Sequence, residues 1–228
     1  MPNLDFSVVG AEPLLFAASP CLIFKLKIRE TEGGNEDWKP SPIASVALRC
    51  QIRIEPTKRR YQAAEQDSLK ELFGEPKRWG QTLRSMLWTH VTLNTPPFAG
   101  EILVDLPVPC TFDFNIAATK YFYALDDGTV PLCFLFSGTI YYSDDDGLLQ
   151  IDQISWEKEA NFQLPITVWK TMMEHYYPRS NWLNLHRDVF DRLARYKRRM
   201  GLPTWEQAMD TLLDSAESRA EAQEEIPS

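Results

Sequence analysis

The sequence has few of the residues on which most catalytic and cofactor sites are built. Only 3 histidines occur, His90, His175 and His186, and no two of them sit at metal-ligand spacing. The 4 cysteines, Cys21, Cys50, Cys110 and Cys133, form no CxxC pair. Three lie inside apolar runs and one beside such a run, so they read as buried reduced thiols. The 10 glycines are scattered, which rules out a Gly-rich phosphate loop. No GxSxG elbow and no HExxH helix occurs. No apolar run approaches the length of a membrane span. The start, Met1-Pro2-Asn3-Leu4-Asp5, lacks the basic and apolar regions of a secretory signal, so the expected location is the cytoplasm. These readings assign no catalytic residue, no metal and no cofactor.

Positive charge is also short. The formal net charge is −8, which argues against general nucleic-acid binding. Half of that charge sits in the last 15 residues, where five acids (Asp214, Glu217, Glu221, Glu224, Glu225) face one base, Arg219. This Ala/Glu-rich stretch has no apolar face and reads as an acidic, disordered tail over 214–228.

What is present is a long series of strand-like segments followed by helix-like ones. Leu4 to Val8 alternates. Leu22, Phe24, Leu26 and Ile28 alternate with Ile23, Lys25, Lys27 and Arg29, and Val46 to Ile54 alternates likewise. Period two over such lengths predicts strands with one buried face. Residues 32–42 read as a loop. Ala63 to Phe73 has a short helical pattern stopped by Gly74, and 76–83 reads as a further helical turn. Met86 to Asn94, Glu101 to Leu106, Thr111 to Ala118, Pro131 to Tyr142 and Leu149 to Trp156 read as further strands. Tyr121 to Leu125 suits either a continued strand or a helical turn. Asp144-Asp145-Asp146-Gly147 has hairpin character and lacks the ligand alternation of a calcium loop.

The last third is helical. Ile166, Trp169, Met172, Met173 and Tyr176 recur at helical spacing after Pro165, which suits a first helical position. A second pattern ends at Gly201. A third opens at Thr204-Trp205-Glu206-Gln207, a capping box. Strands first and helices afterwards predict an α+β fold, an antiparallel β-sheet over the N-terminal two-thirds packed by C-terminal helices. One domain is expected over 1–213.

Lys25, Lys27, Arg29, Arg49 and Arg53 share the outward parity of two strands. Were those strands neighbours, like charges would lie side by side, which is unfavourable without compensation. Compensation has three candidate sources: Glu101 and Asp105 on a third strand, the acidic tail, or an acidic partner. A second basic cluster includes Arg59 and Arg60. Aromatics are plentiful, and Trp79, Trp88 and Trp182 together with the arginines make a candidate protein-binding set.

Several stretches resemble a known group. These are Leu48-Arg49-Cys50-Gln51-Ile52-Arg53-Ile54-Glu55-Pro56, Leu72-Phe73-Gly74-Glu75-Pro76 with Arg78-Trp79-Gly80, Asp105 to Cys110, Leu135 to Thr139, and Gly201-Leu202-Pro203-Thr204-Trp205. They are similar to an uncharacterised bacterial family found in gene clusters of actinobacterial-type nickel–iron hydrogenases. That resemblance implies an accessory or maturation role and carries over no catalytic residue. A fainter likeness, over Tyr177-Pro178, Leu183 to Leu185 and Phe190 to Leu193, is to the export chaperone SecB. The resulting expectation is a non-enzymatic accessory protein, chaperone-like, binding a polypeptide such as a hydrogenase subunit or precursor. Two alternatives stand beside it: a small-molecule or metallocofactor-handling enzyme, and a structural subunit of a larger complex.

Overall fold

The computed structural model describes residues 2–31, 39–111, 116–144, 146–180, 183 and 185–224, with side chains up to 219. The chain divides into two compact units, 1–180 and 181–228. Residues 181–213 of the expected body therefore fall in the second unit.

The first unit is α+β. Its strands are β1 (Leu4–Pro13), β2 (Cys21–Glu30), β3 (Ile43–Ile54), β4 (Met86–Asn94), β5 (Glu101–Pro109), β6 (Thr129–Ser143), β7 (Leu149–Gln153) and β8 (Glu159–Pro165). Two antiparallel sheets form rather than one. The smaller has the order β1-β2-β5; the larger has β4-β3-β6-β7, with β8 also on β6. The chain crosses between sheets after β2, so β2 and β3 are not neighbours, and the supposed side-by-side packing of their basic residues does not occur.

Period-two alternation still decides which side chains go inside. Leu22, Phe24, Leu26 and Ile28 face the core from β2, and Val46, Leu48, Cys50, Ile52 and Ile54 face it from β3. The two inner faces meet through aromatic rings. Phe6 stacks on Phe136 at 4.5 Å, and Phe24 meets Phe134 at 5.1 Å and Trp88 at 6.2 Å. The sheets thus enclose a sandwich-like core.

β6 is the longest strand and is shared. Its first half pairs with β8 and its second half with β7 along the same edge, while β3 occupies the other edge throughout. The handover falls beside Gly138, at φ +140°, where an added Cβ would sit 2.1 Å from the Ala47 carbonyl oxygen. Only glycine fits so close a backbone approach. β8 itself escaped the sequence reading, although Ala160, Phe162 and Leu164 alternate.

The helices of this unit are α1 (Ala63–Ser68), α2 (Lys70–Phe73), α3 (Trp79–Thr82), α4 (Ile116–Tyr123) and α5 (Ile166–Tyr176). α4 replaces the strand expected over the end of 111–118; residues 112–115 lie outside the described ones. α5 packs against β1, β2, β8 and α4. Trp169 of α5 stacks on Phe122 of α4 at 5.0 Å, and Phe122 meets Trp88 at 5.1 Å. Pro165 is the cap rather than the first helical residue, with ψ 126°.

The second unit is a helical hairpin of α6 (Arg187–Arg199) and α7 (Trp205–Glu224). Gly201, at φ +64°, turns the chain out of α6. Its N–H donates to Arg198 O and that of Leu202 to Lys197 O, the two-bond closure that a left-handed glycine permits. The Gln207 N–H donates to Thr204 Oγ1, as the capping signature predicts. Phe190 of α6 meets Trp205 of α7 at 5.2 Å. Beyond Asp214, where order is expected to end, α7 runs on to Glu224, because Ala, Glu and Gln sustain helix without an apolar stripe.

Candidate interaction surfaces

Two of the three bases on the outer face of the small sheet are neutralised by that sheet's own acids. β2 is its central strand and carries Lys25, Lys27 and Arg29 outward between two flanking strands that supply acids. Lys25 Nζ lies 2.8 Å from Glu12 Oε1 of β1 and 2.8 Å from Asp105 Oδ1 of β5. Lys27 Nζ lies 2.8 Å from Glu101 Oε1. Hydrogen bonds donated by Lys25 to the Asp105 and Glu12 carboxylates raise the Lys25 pKa. The compensation expected from Glu101 and Asp105 is therefore built in. Arg29 is exposed at the end of the same strand, in register with Asp5 and Glu101.

Arg59 is not a surface residue. Its guanidinium is held in an ion pair with Glu65, Nη2 to Oε1 at 2.5 Å, with side chains 9% and 1% exposed. Nη1 donates to Thr129 O at 2.6 Å and Nη2 to Asp127 O at 2.8 Å. Glu65 also accepts the N–H groups of Gln62 and Asp126. Burial opposes ionisation of this carboxyl, but the two backbone donors and the Arg59 bond and charge outweigh burial and hold its pKa below the ordinary value. Tyr61 lies under Arg59, and its hydroxyl is 2.8 Å from that of Tyr121. Burial pushes both phenols up. The cluster clamps the segment before α1 to the turn before β6, and every Glu65 oxygen is taken. Arg60, next in sequence, is exposed.

Trp79 and Trp88 belong to the core as well. Trp79 packs edge-on against Tyr61 and Phe73 and donates Nε1–H to Gly74 O. Trp88 sits between Phe24 and Phe122. Both rings are buried, Trp88 between the sheets and Trp79 among the short helices, so neither offers the surface anchor the sequence suggests. Trp182 lies outside the described residues.

The outer face of the large sheet differs from that of the small one. Arg49 lies in register between Thr92 of β4 and Ser137 of β6, Gln51 between His90 and Leu135, and Arg53 between Leu87 and Cys133. These cross-strand neighbours carry no acid. Among the described residues neither Arg49 nor Arg53 makes an ion pair within 4 Å. Leu87 is exposed at the end of this row. β4 is the edge strand, and a cavity of about 410 Å³ opens beside it, lined by Thr89 to Thr92, Pro107, Pro109 and Thr111. His90 and Thr92 thus border both the cavity and the arginine rows.

The thiols offer no nucleophile. Burial pushes Cys50 up to about 12 and raises Cys21, Cys110 and Cys133, the last also through Glu159 and Glu55. No group of three His, Cys, Asp or Glu side chains suited to a metal ion occurs among the described residues. Among them, too, no helix is long and apolar enough to cross a membrane.

One further surface was not singled out in the sequence. Leu148, Leu149, Ile151 and Trp156, on β7 and flanking it, are exposed. Their alternation was legible, but not that this strand is an edge with its apolar side in solvent.

No curated protein and no solved structure matches the chain. A family model does, over residues 1–221, and the chain belongs to that family, the family of unknown function DUF6084.

Proposed function

We propose that this protein is a non-enzymatic accessory protein that binds another polypeptide, and that the outer face of its large sheet receives an extended, acidic segment of that partner. The observation that carries this reading is the contrast between the two outer faces. On the small sheet each of the two lysines has an acidic partner at 2.8 Å. On the large sheet Arg49 and Arg53 stand on the same face, four residues apart on one strand, with Thr92, Ser137, Leu87 and Cys133 beside them. Glu55 and Glu159 lie near Arg53 around Cys133, yet neither guanidinium is held in an ion pair within 4 Å among the described residues, which leaves both a fit for carboxylates, which Arg binds in bidentate fashion. The neighbouring cavity, with Val91, Pro107 and Pro109 in its lining, suits an apolar side chain of the same segment.

The resemblance to a hydrogenase-associated family directs the search for the partner to hydrogenase subunits or their precursors in the cytoplasm. The test is a pull-down from the native host at native expression level, with wild type compared against R49E/R53E. Recovery of one polypeptide by wild type and its loss in the double variant supports the proposal. Recovery of no polypeptide, or equal recovery by both, refutes it.

A further inference from the structure

We propose that two copies of this chain associate by pairing β7 with β7 of the second copy, antiparallel, across a two-fold axis at Ile151. β7 is the last strand of its sheet on that side. Its ladder bonds to β6 use the even residues. Ile154 N–H donates to Gly138 O, Asp144 N–H donates to Leu148 O, and the register between them pairs Ile140 with Asp152 and Tyr142 with Gln150. By alternation, the N–H and C=O groups of Leu149, Ile151 and Gln153 point away from β6. One of these donors, Gln153 N–H, is capped by the Asp152 carboxylate. The rest form an open edge. On the outer face of that edge Leu149 and Ile151 are 62% and 64% exposed. An exposed apolar edge strand is a template for another strand.

The sequence of the edge selects the occupant. Leu149-Gln150-Ile151-Asp152-Gln153 is self-complementary when reversed about Ile151. Ile151 then meets Ile151 of the second copy, Leu149 meets Gln153, and Gln150 meets Asp152. The outward backbone groups coincide in that register, because Ile151 opposes Ile151 and Leu149 opposes Gln153, all of them outward residues. Side chains agree as well. The two isoleucines pack on the outer face, and each Asp152 carboxylate faces a Gln150 amide. Sliding two residues toward the C-terminal end would set Asp152 against Asp152, and like charges directly opposite are destabilising. The pairing is isologous and closes, so it stops at a dimer whose large sheets join into one.

The test is sedimentation velocity of the full chain from low micromolar to near-millimolar concentration, on wild type and two variants. Ile151→Lys places two lysines on the axis, and the dissociation constant is expected to rise at least about tenfold. Gln150→Lys sets a lysine against each Asp152 and keeps a donor for Asp144 Oδ2, which Gln150 now serves at 2.7 Å. It is expected to tighten the dimer about fivefold. Ile151 is exposed and Gln150 half-buried, and the melting temperature of each variant reports that it is folded. A wild type that stays monomeric throughout overturns the proposal. So does a dimer that neither substitution alters.

Discussion

Replacing Glu65 with Gln tests how the first unit is held together. The side chain keeps its shape but loses its charge, leaving the Arg59 guanidinium, 9% exposed, without a counter-ion. It also weakens the acceptor for the N–H groups of Gln62 and Asp126. Removing one member of a buried pair costs about 3–5 kcal/mol, because the remaining charge is stranded. For a unit of this size that corresponds to a fall of roughly 6–20 °C in Tm. The assay is thermal and urea unfolding followed by the near-ultraviolet signal of the buried rings of Trp88 and Trp169. The pH dependence is a second, independent readout. The folded-state pKa of Glu65 is depressed, so its contribution is complete above the ordinary carboxyl pKa of about 4.3 and is lost as pH falls through the folded value. The gap between wild type and variant should close on acidification. R59M strands the opposite charge, so the R59M/E65Q double variant should cost less than the two single changes summed. A gap under about 1 kcal/mol at neutral pH, well below the cost of stranding a buried charge, would refute the reasoning. A gap that does not change with acid would refute it too.

Two further outcomes follow from the same geometry. Gly138→Ala should cost about 3 kcal/mol or more by urea unfolding, since its Cβ would meet the Ala47 carbonyl oxygen at 2.1 Å and its φ of +140° disfavours a side chain. Lys25→Met, by contrast, should change stability by less than about 1 kcal/mol, since Glu12 and Asp105 are more than half exposed and water screens the contacts; added salt should shrink that difference in the same unfolding assay.

The sequence displayed faces more clearly than partners. Alternation in β2 and β3 correctly sorted Leu22, Phe24 and Ile28 from Lys25, Lys27 and Arg29, and Leu48 and Ile52 from Arg49 and Arg53, because the pleat alone dictates that sorting. It could not say that β2 joins β5 while β3 joins β4 and β6. That choice depends on crossovers of long sequence separation, which leave no periodic mark. The α+β class was legible for the same reason that the two-sheet arrangement was not. Trp79 and Trp88 seemed surplus to a core behind one sheet. Between two facing sheets Trp88 is needed, in the chain of rings from Phe24 through Phe122 to Trp169, and Trp79 packs on Tyr61 and Phe73 beside α2. Arg59 reads from the sequence as part of a basic interaction cluster and Glu65 draws no notice; only the turn before β6, brought over the pair, buries it. Of the three sources of compensation that the sequence offers for Lys25 and Lys27, the structure uses Glu101 and Asp105, together with Glu12. The Schellman-type end of α6 and the Thr204 cap were both readable from local residues alone.

The central claim is that the free arginines of the large sheet receive a partner chain, and the comparison of R49E/R53E with wild type in a native-host pull-down tests it most directly. Arg49 faces solvent beside Thr92 and Ser137, while Arg53 is half-buried between Leu87 and Cys133, so the melting temperature is read alongside retention to report that the variant is folded. The account predicts that wild type retains one polypeptide at stoichiometric level and that the folded variant retains none. Undiminished retention by the variant would contradict it.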